Sequence, residues 1–357
     1  MKQPAPRIGI YRPCGIGDAV QLTPLFQQIR ADYPDADISF YTSSNVSALL
    51  EQHPSLTKLV PIASGQTIGM AARLGNLPLW HRVRRDGPWD LFLNFDTQYR
   101  RALFFPLVRA RRSAGYITRQ RAWPIYTHPI HAPTKAAPDA PHISTYYLNA
   151  WQHLTGFADR GFSYDLRHLL HQPQPLPELP PGFLCLAPGS GNFAGAIDAK
   201  RWSYWMDLAG LLRGDGWRLA WLGGPEDAHE YSPPPEDLNL MGRIGLVAAA
   251  QVLARSRGMI GNDSGMYHLA IGLGVRAAAF YGPTSSTHVG PFRTDSALVL
   301  KKELPCVPCQ RATCDVPSAL VPNGVIRPYC MTLQHPAEVL PSLRAFLGTP
   351  RLSAIVL

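Results

Sequence analysis

The residues with the clearest chemical potential lie in short glycine-containing segments, each directly after an apolar stretch. The first segment, Gly15-Ile16-Gly17-Asp18, follows the apolar run Arg7–Arg12. Glycines such as Gly15 and Gly17 let the backbone approach a ligand closely, and Asp18 then stands at the edge of a domain. The segment is a candidate ligand loop; the alternative is that Asp18 only caps the next turn.

A second segment, Pro188–Asn192, also follows an apolar stretch and leads to Lys200 at a predicted helix start. It offers backbone amides, the hydroxyl of Ser190, the neighbouring Gly191 and Asn192, and the fixed positive charge of Lys200. This combination suits a diphosphate. A plain turn followed by a solvated lysine explains the same residues equally well.

The third segment, Gly261–His268, ends one predicted strand and starts a helix. Ser264 is its predicted N-cap, so the amides from Gly265 onward would point towards a ligand. Asp263 is placed to accept hydrogen bonds from sugar hydroxyls. His268, one turn into the helix, either faces the ligand or packs as a core histidine.

A fourth segment, Gly223–Asp227, follows another predicted strand and carries Glu226. An acidic residue at such a point can bind the two hydroxyls of a ribose. The alternative is a carboxylate in the first turn of a helix, where the helix dipole favours it.

Four of the six cysteines bunch at Cys306, Cys309, Cys314 and Cys330. Four soft thiolate ligands are enough for a tetrahedral zinc or iron ion, and the first two have a common ligand spacing. The sequence therefore predicts a structural metal site, with ordinary reduced thiols as the alternative.

The elements that must position these segments alternate between strand and helix in both halves of the chain. Apolar runs such as Trp89–Phe95 and Val275–Tyr281 have parallel-strand character, and Leu246–Arg255 has a helical pattern. A proline-rich stretch separates the halves. The pattern predicts an α/β protein with two doubly wound, Rossmann-like domains that face each other across a cleft. The predicted parts are the domain 1–172, the linker 173–182, the domain 183–334 and the C-terminal helix and tail 335–357.

Two further helices are predicted in the second half of the chain. One helix is predicted from residues that recur at helical spacing, namely Trp202, Trp205, Ala209 and Leu212. The other is the closing helix Pro336–Leu347, which could pack back on the first domain.

The bulk properties limit the class of protein. A chain of 357 residues is long enough for two domains, and its net charge of +9 favours an anionic partner. Residues 1–6 lack the apolar run of a signal peptide and no stretch is long enough to span a bilayer, so we expect a cytoplasmic protein. Nucleic acid is not the expected partner, because the chain has no recognisable reading motif and its basic residues are scattered.

Taken together, the segments resemble glycosyltransferase family 9, the heptosyltransferases of lipopolysaccharide assembly and their relatives. The resemblance spans nearly the whole chain. Its pieces, in order, are Gly15-Ile16-Gly17-Asp18 with Thr23-Pro24-Leu25, Pro188-Gly189-Ser190, Lys200-Arg201-Trp202, Gly261-Asn262-Asp263-Ser264-Gly265 with His268-Leu269-Ala270, and Tyr281-Gly282-Pro283-Thr284.

The resemblance implies an inverting transferase of the GT-B type that uses an ADP-activated sugar, with heptose as the first candidate. It implies that Asp18 is the general base and that Lys200 stabilises the departing diphosphate in place of a catalytic metal ion. Asp263 would orient the sugar and Glu226 the ribose. The donor-binding positions that it implies are Gly15, Gly17, Ser190, Gly191, Asn192, Glu226, Asp263, Ser264, Gly265 and His268.

The resemblance also limits the class of acceptor, which would be a lipopolysaccharide core, another lipid-linked glycan or, in a close variant, a protein. Such acceptors imply peripheral contact with the inner membrane surface. Family members that modify autotransporter proteins carry iron at similar cysteine clusters. An epimerase or hydrolase of the same architecture, which needs no acceptor, is the alternative function. Five arginines could meet acceptor phosphates or form a solvated face, namely Arg100, Arg101, Arg109, Arg111 and Arg112.

Overall fold

Within the residues that the computed structural model describes, two six-stranded sheets form the framework, and all neighbouring strands are parallel. The chain divides into two units, Met1–Thr134 with Pro141–His168, and Lys135–Ala140 with Leu169–Leu357. The predicted α/β class with two doubly wound sheets is confirmed. The described residues are 5–62, 77–96, 108–117, 125–131, 140–190, 198–311, 313–314 and 328–348.

The sheet of the first unit has the strand order β3-β2-β1-β4-β5-β6. Its strands are β1 (Arg7–Tyr11), β2 (Asp37–Ser43), β3 (Lys58–Ile62), β4 (Trp89–Asn94), β5 (Ala110–Ile117) and β6 (His128–His131). The order reverses between β1 and β4, and ligands of such sheets bind at the carboxyl ends of the strands beside the reversal. The segment that carries Asp18 leaves β1 at this point.

The sheet of the second unit repeats this plan, in the order β12-β11-β10-β7-β8-β9. Its strands are β7 (Leu184–Ala187), β8 (Leu219–Trp221), β9 (Leu238–Asn239), β10 (Met259–Asn262), β11 (Ala277–Tyr281) and β12 (Ala297–Lys301). Here the order reverses between β7 and β10. The segments with Ser190 and Asp263 follow these two strands and therefore lie at the same edge of the sheet.

Helices cover both sheets. Those of the first unit are Ile16–Gln21, Thr23–Asp32, Ser47–Leu50, Leu77–Asp86 and Ile143–Thr155. Those of the second are Trp205–Gly214, Pro225–Glu230, Leu246–Arg255, Gly265–Gly272, Ser286–Val289, Tyr329–Thr332 and Pro336–Leu347. Short 3₁₀ turns lie at Ser44–Val46, Arg167–His171 and Asp198–Lys200. Among all described helices, none combines the length and the apolar character that a bilayer crossing requires.

The prediction that Trp202 belongs to a helix is wrong, because the helix begins only at Trp205. Trp202 is nevertheless fully buried. Its ring stacks on Phe280 with 3.9 Å between ring centroids, and its indole N–H donates to the carbonyl of Gln334 at 2.8 Å. These tertiary contacts hold Trp202 in an irregular segment before the helix.

The closing helix Pro336–Leu347 packs into the core of the second unit. Its buried face consists of Val339, Leu340, Leu343 and Leu347, which join the core around β7, β8 and β10. On its outer face, Arg344 forms an ion pair of 2.6 Å with Asp215 at the end of the helix Trp205–Gly214. The helix is therefore an integral layer of this unit.

His53 makes the stability of the first unit depend on pH. The side chain is 3% exposed, Nδ1 accepts a hydrogen bond from the Ser55 amide, and the ring packs against His168. Burial first, and the neighbouring His168 second, lower the pKa of His53 to about 3, while Asp165 opposes the shift. Below pH ~6.5 the unfolded chain therefore binds a proton at His53, whereas the folded chain does not bind it until the pH is much lower.

We expect the free energy of unfolding to fall as pH drops from about 6.5 towards 3, by at most ~1.4 kcal/mol per pH unit from this group. His53→Phe should flatten that dependence, because it removes the titrating group and keeps an aromatic ring. The measurement is urea unfolding at several pH values, with His81→Gln, an exposed histidine, as the control. A slope in His53→Phe equal to that of the unchanged protein would contradict the assignment.

Candidate active site

Asn262, the last residue of β10, ties together the loops of the second unit. It is fully buried, its side-chain amide donates to the carbonyl of Pro188, and its Oδ1 accepts from the Trp202 amide at 3.3 Å. The loop after β7 and the segment that contains Lys200 are therefore fixed beside the end of β10. A buried side chain with both functions bonded is a rigid anchor for its neighbours.

Asp263, the next residue, holds a buried ionic cluster. Its carboxylate accepts two hydrogen bonds at Oδ2, from Lys200 Nζ at 2.7 Å and from Thr284 Oγ1 at 2.7 Å. His268 Nε2 lies 3.7 Å from Oδ1, so this contact is longer than a normal hydrogen bond. Burial alone would raise the pKa of Asp263, but the Lys200 ammonium and His268 hold it well below its ordinary value. The Asp263 carboxylate is therefore ionised at any physiological pH.

The structure thus brings together Lys200, Asp263 and His268, three residues that the sequence analysis selected. The histidine is 3% exposed and packs beside the carboxylate. Thr284 was missed as a member of the cluster. It follows β11, which neighbours β10 in the sheet, so that the two carboxyl ends meet at one edge. Its place in the Gly-Pro-Thr segment after a predicted strand was the available signal.

The helix Gly265–Gly272 begins directly after this cluster. Ser264 is its N-cap by position, as predicted, but its side chain makes no capping hydrogen bond. Its Oγ is buried and has no hydrogen-bond partner among the residues that the structure describes. A buried hydroxyl beside unpaired helix amides suits a phosphate oxygen.

The loop after β7 contributes less to the described site. Ser190 is partly exposed at the end of this loop, on the edge that also carries Asp263. Gly191 and Asn192 lie outside the described residues, so their assignment stays a prediction. Lys200 is the last residue of the 3₁₀ turn Asp198–Lys200, and its side chain is 20% exposed. It is therefore held by Asp263 and still in contact with solvent.

The loop after β8 is organised by Asp227 rather than by Glu226. Glu226 is exposed, whereas Asp227 Oδ2 accepts a hydrogen bond from the Gly224 amide at 2.8 Å and caps the helix Pro225–Glu230. A methyl group added at Gly189 or Gly223 would lie 2.4 or 2.5 Å from an Asp227 oxygen. A larger residue at either position would displace the Asp227 carboxylate, which therefore packs against the loops after both β7 and β8.

Asp227 was missed by the sequence analysis, which selected its neighbour. Burial raises the pKa of Asp227 above its ordinary value, although the Gly224 hydrogen bond and Arg201 oppose the shift. The spacing of Gly224 and Asp227 is that of a capping box, and this was the signal that could have found it. The role of Glu226 towards a ribose stays a prediction.

In the first unit, Asp18 lies in the first turn of the short helix Ile16–Gln21, for which Gly15 is the N-cap and in which Gly17 precedes the carboxylate. The predicted turn after β1 is therefore partly helical. The Asp18 side chain is 40% exposed, and its Oδ1 accepts a hydrogen bond of 3.1 Å from Arg12. A partly exposed carboxylate at the switch point of the sheet is well placed to meet a substrate.

The arginines considered for the acceptor fall elsewhere. Arg109 and Arg111 are exposed and Arg112 is partly buried, and all three lie at the amino end of β5. Because β5 and β1 are parallel within one sheet, this is the edge opposite to the one that carries Asp18. The solvated face is therefore the better interpretation of these three, while Arg100 and Arg101 lie outside the described residues.

The four clustered cysteines line one cavity of about 240 Å³. Ala199 and Pro283, the neighbours of Lys200 and Thr284, line the same cavity. In the part of the chain that the structure describes, no three side chains of the ligating types are arranged so that they could hold a metal ion. A common cavity is a weaker condition than ligand geometry, so the metal site stays a prediction.

Two sheets with this reversed strand order, each with its candidate loops at the point of reversal, are the framework of the GT-B fold. Solved structures support the fold. The chain resembles a family 9 glycosyltransferase from Veillonella parvula, with a TM-score of 0.74 and 18% identity over 97% of this chain and 98% of that one. It also resembles the Escherichia coli heptosyltransferase WaaC with ADP, with a TM-score of 0.71 and 16% identity over 96% and 100% of the two chains.

The chain belongs to glycosyltransferase family 9 (heptosyltransferase), whose family model matches residues 77–320. Among curated proteins it is similar to lipopolysaccharide heptosyltransferase 1 of Pseudomonas aeruginosa. The two are 23% identical over 96% of this chain and 99% of that protein. The predicted family and the predicted enzyme class are thereby confirmed.

Proposed function

We propose that this enzyme transfers heptose from an ADP-activated donor to a lipopolysaccharide core, with inversion at the anomeric carbon. Its family and its full-length similarity to a lipopolysaccharide heptosyltransferase support this function. The structural observation that carries it is the buried cluster of Lys200, Asp263 and Thr284 beside the start of the helix Gly265–Gly272. This cluster joins a fixed ammonium group to unpaired helix amides, which is what a diphosphate leaving group requires.

In the proposed reaction Asp18 acts on the acceptor. Its carboxylate takes the proton of an acceptor hydroxyl while that oxygen forms a bond to the anomeric carbon of the donor. The bond from this carbon to the diphosphate oxygen breaks at the same time, and ADP leaves with the electron pair. Attack from the face opposite to the leaving group inverts the anomeric centre.

Lys200 acts on the donor. Its ammonium group meets the charge that develops on the diphosphate oxygen, together with the hydroxyls of Ser190 and Ser264 and the helix amides. Asp263 fixes the position of this ammonium group through their 2.7 Å ion pair. In this proposal Lys200 supplies the charge that a catalytic divalent ion provides in other transferases. Contacts of Asp263 with the sugar and of Glu226 with the ribose are further parts of the proposal.

A panel of ADP-, UDP- and GDP-linked sugars tests the function. We expect ADP-heptose to raise the melting temperature most, and to be consumed only when a heptose-free lipopolysaccharide core is added. Stabilisation by UDP or GDP sugars alone would reject the proposed donor. Consumption of the donor without any acceptor would instead identify an epimerase or a hydrolase.

We also propose that the four-cysteine cavity holds a structural zinc or iron ion. The donor set fits, because four thiols are soft ligands and all four line one cavity. The ion would connect the segment Cys306–Cys314 to Cys330 at the start of the helix Tyr329–Thr332. Such an ion stabilises the fold, since a metal site that is absent from the unfolded chain contributes its binding free energy to folding.

Elemental analysis of protein purified without added metal should find zinc or iron at close to one ion per chain. Cys306→Ser with Cys309→Ser should remove the ion and lower the melting temperature. Cys185→Ala is the matched control, because Cys185 is a buried free thiol of β7 outside the cavity. Substoichiometric zinc and iron in the unchanged protein would count against the site.

A further inference from the structure

Arg12 is an unusual residue at the candidate base. It follows the buried strand β1, and its side chain is only 13% exposed although it carries a full charge. Its main chain is hydrogen-bonded to β2. Its amide donates to the Tyr41 carbonyl at 3.0 Å, and its carbonyl accepts from Thr42 Oγ1 at 2.9 Å. In the sequence Arg12 ends the apolar run Arg7–Arg12, and no function was predicted for it.

The two ends of the guanidinium have different partners. Nη1 donates to the carbonyl of Phe95, directly after β4, at 3.1 Å, and Nη2 donates to Asp18 Oδ1 at 3.1 Å. The strands β1 and β4 are neighbours at the point where the strand order reverses. Arg12 thus connects the carboxylate of Asp18 to a fixed point at the carboxyl end of β4.

The charged and titratable groups that face Arg12 come from several elements. They are Asp18 and Cys14 on its own segment, Asp96 after β4, Tyr147 of the helix Ile143–Thr155, and Tyr116 of β5. Burial alone would lower the pKa of Arg12, but the first four of these neighbours raise it well above its ordinary value. The guanidinium therefore stays charged next to Asp18 throughout the working pH range.

We propose that Arg12 is the positioning residue of the Asp18 base, which it orients and keeps ionised; the inference rests on the proposed role of Asp18. The Asp18 side chain is 40% exposed, and the Arg12 hydrogen bond fixes the position of one of its two carboxylate oxygens. A guanidinium at hydrogen-bond distance favours the ionised form of a carboxylate, and only the ionised form can take the acceptor proton. Arg12 itself touches neither the donor nor the acceptor in this role.

The test compares Arg12→Gln, Arg12→Lys and the control Arg30→Gln. Arg30 lies in the same unit, is partly buried, and binds the carbonyls of Pro34, Ala36 and Ser55 and the Thr57 hydroxyl. The variant Arg30→Gln therefore measures how far the fold is destabilised when an arginine bonded to main-chain oxygens is lost. The readouts are the pH profile of kcat, the Kd for ADP, and the melting temperature.

In Arg12→Gln we expect the acid limb of the kcat profile to move up by about one pH unit and kcat at pH 7 to fall about tenfold or more. The Kd for ADP should stay within twofold. Arg12→Lys should recover the acid limb and part of kcat, because it keeps the charge but loses the planar bridge. The same shift is measurable without an acceptor, as the titration midpoint of the carboxyl ¹³C resonance that Asp18→Asn removes.

An unmoved acid limb and an unmoved titration midpoint in folded Arg12→Gln would overturn the inference, as would a loss of ADP binding parallel to the loss of kcat. Should Arg12→Gln not fold, Arg12→Lys decides, since a wild-type kcat in that variant would equally overturn it. Failure of the proposed function is distinguishable. If Asp18 is not the base, Asp18→Asn retains sugar transfer. If only the Arg12 inference fails, Asp18→Asn is inactive and Arg12→Gln has the kcat of the unchanged enzyme.

Discussion

Asp18→Asn is expected to lower the rate of sugar transfer by about 10²–10⁴-fold and to leave the Kd for ADP nearly unchanged. The amide is close in size to the carboxylate and can still accept the Arg12 hydrogen bond, but it cannot take a proton at neutral pH. The donor is held by groups of the second unit in the proposed mechanism, so its binding does not need this carboxylate. Initial rates with saturating donor and acceptor, beside calorimetric titration with ADP, measure both quantities.

Asp37→Asn is the matched control for this experiment. Asp37 also lies in the first unit, also pairs with an arginine, Arg7 at 3.6 Å, and its side chain is 41% exposed against 40% for Asp18. It is at the amino edge of the sheet, where β2 begins. Transfer by Asp37→Asn should equal that of the unchanged enzyme. Parallel losses of ADP binding and transfer in Asp18→Asn would refute the role of a base that acts on the acceptor.

Much of the fold follows from local patterns in the sequence. The helix Leu246–Arg255 was predicted with the bounds that the structure shows, because its apolar residues recur with the period of a helix and its ends carry clear signals. Trp202 shows the limit of this reasoning. Its spacing is helical, but stacking on Phe280 and a hydrogen bond to the Gln334 carbonyl hold it outside the helix. Such contacts over long sequence separations are invisible in a local pattern.

The same limit applies to the site. Asp263 was selected because it follows a predicted strand within a glycine segment. Lys200 was selected because it stands at the predicted helix start to which another glycine segment leads. Arg12, Thr284 and Asp227 were missed because their importance arises from partners that the strand order brings near. Arg12 reaches Phe95 over 83 residues, and this contact exists only because β1 and β4 are neighbours. A charged residue at the end of an apolar run such as Ile8–Tyr11 is the kind of signal that could have identified it.

The ion pair of Lys200 and Asp263 changes how a lysine variant must be interpreted. Lys200→Met is expected to raise the Kd for ADP about tenfold and to lower kcat further, because the ammonium meets the diphosphate before and during bond cleavage. It also leaves the Asp263 carboxylate, 4% exposed, without its main countercharge. Breaking a buried pair in this way costs about 3–5 kcal/mol of stability. A lower melting temperature alone therefore says nothing about the donor.

A double-variant cycle separates the two effects. Asp263→Asn in the Lys200→Met background removes the buried charge and should recover much of the lost stability, whereas ADP affinity should stay low because no ammonium returns. Lys302→Met is the control, since Lys302 pairs with Glu338 on the exposed surface of the same unit. An unchanged Kd for ADP in folded Lys200→Met would remove Lys200 from the donor site. Recovery of ADP affinity together with stability would show that Lys200 acts only by holding the fold.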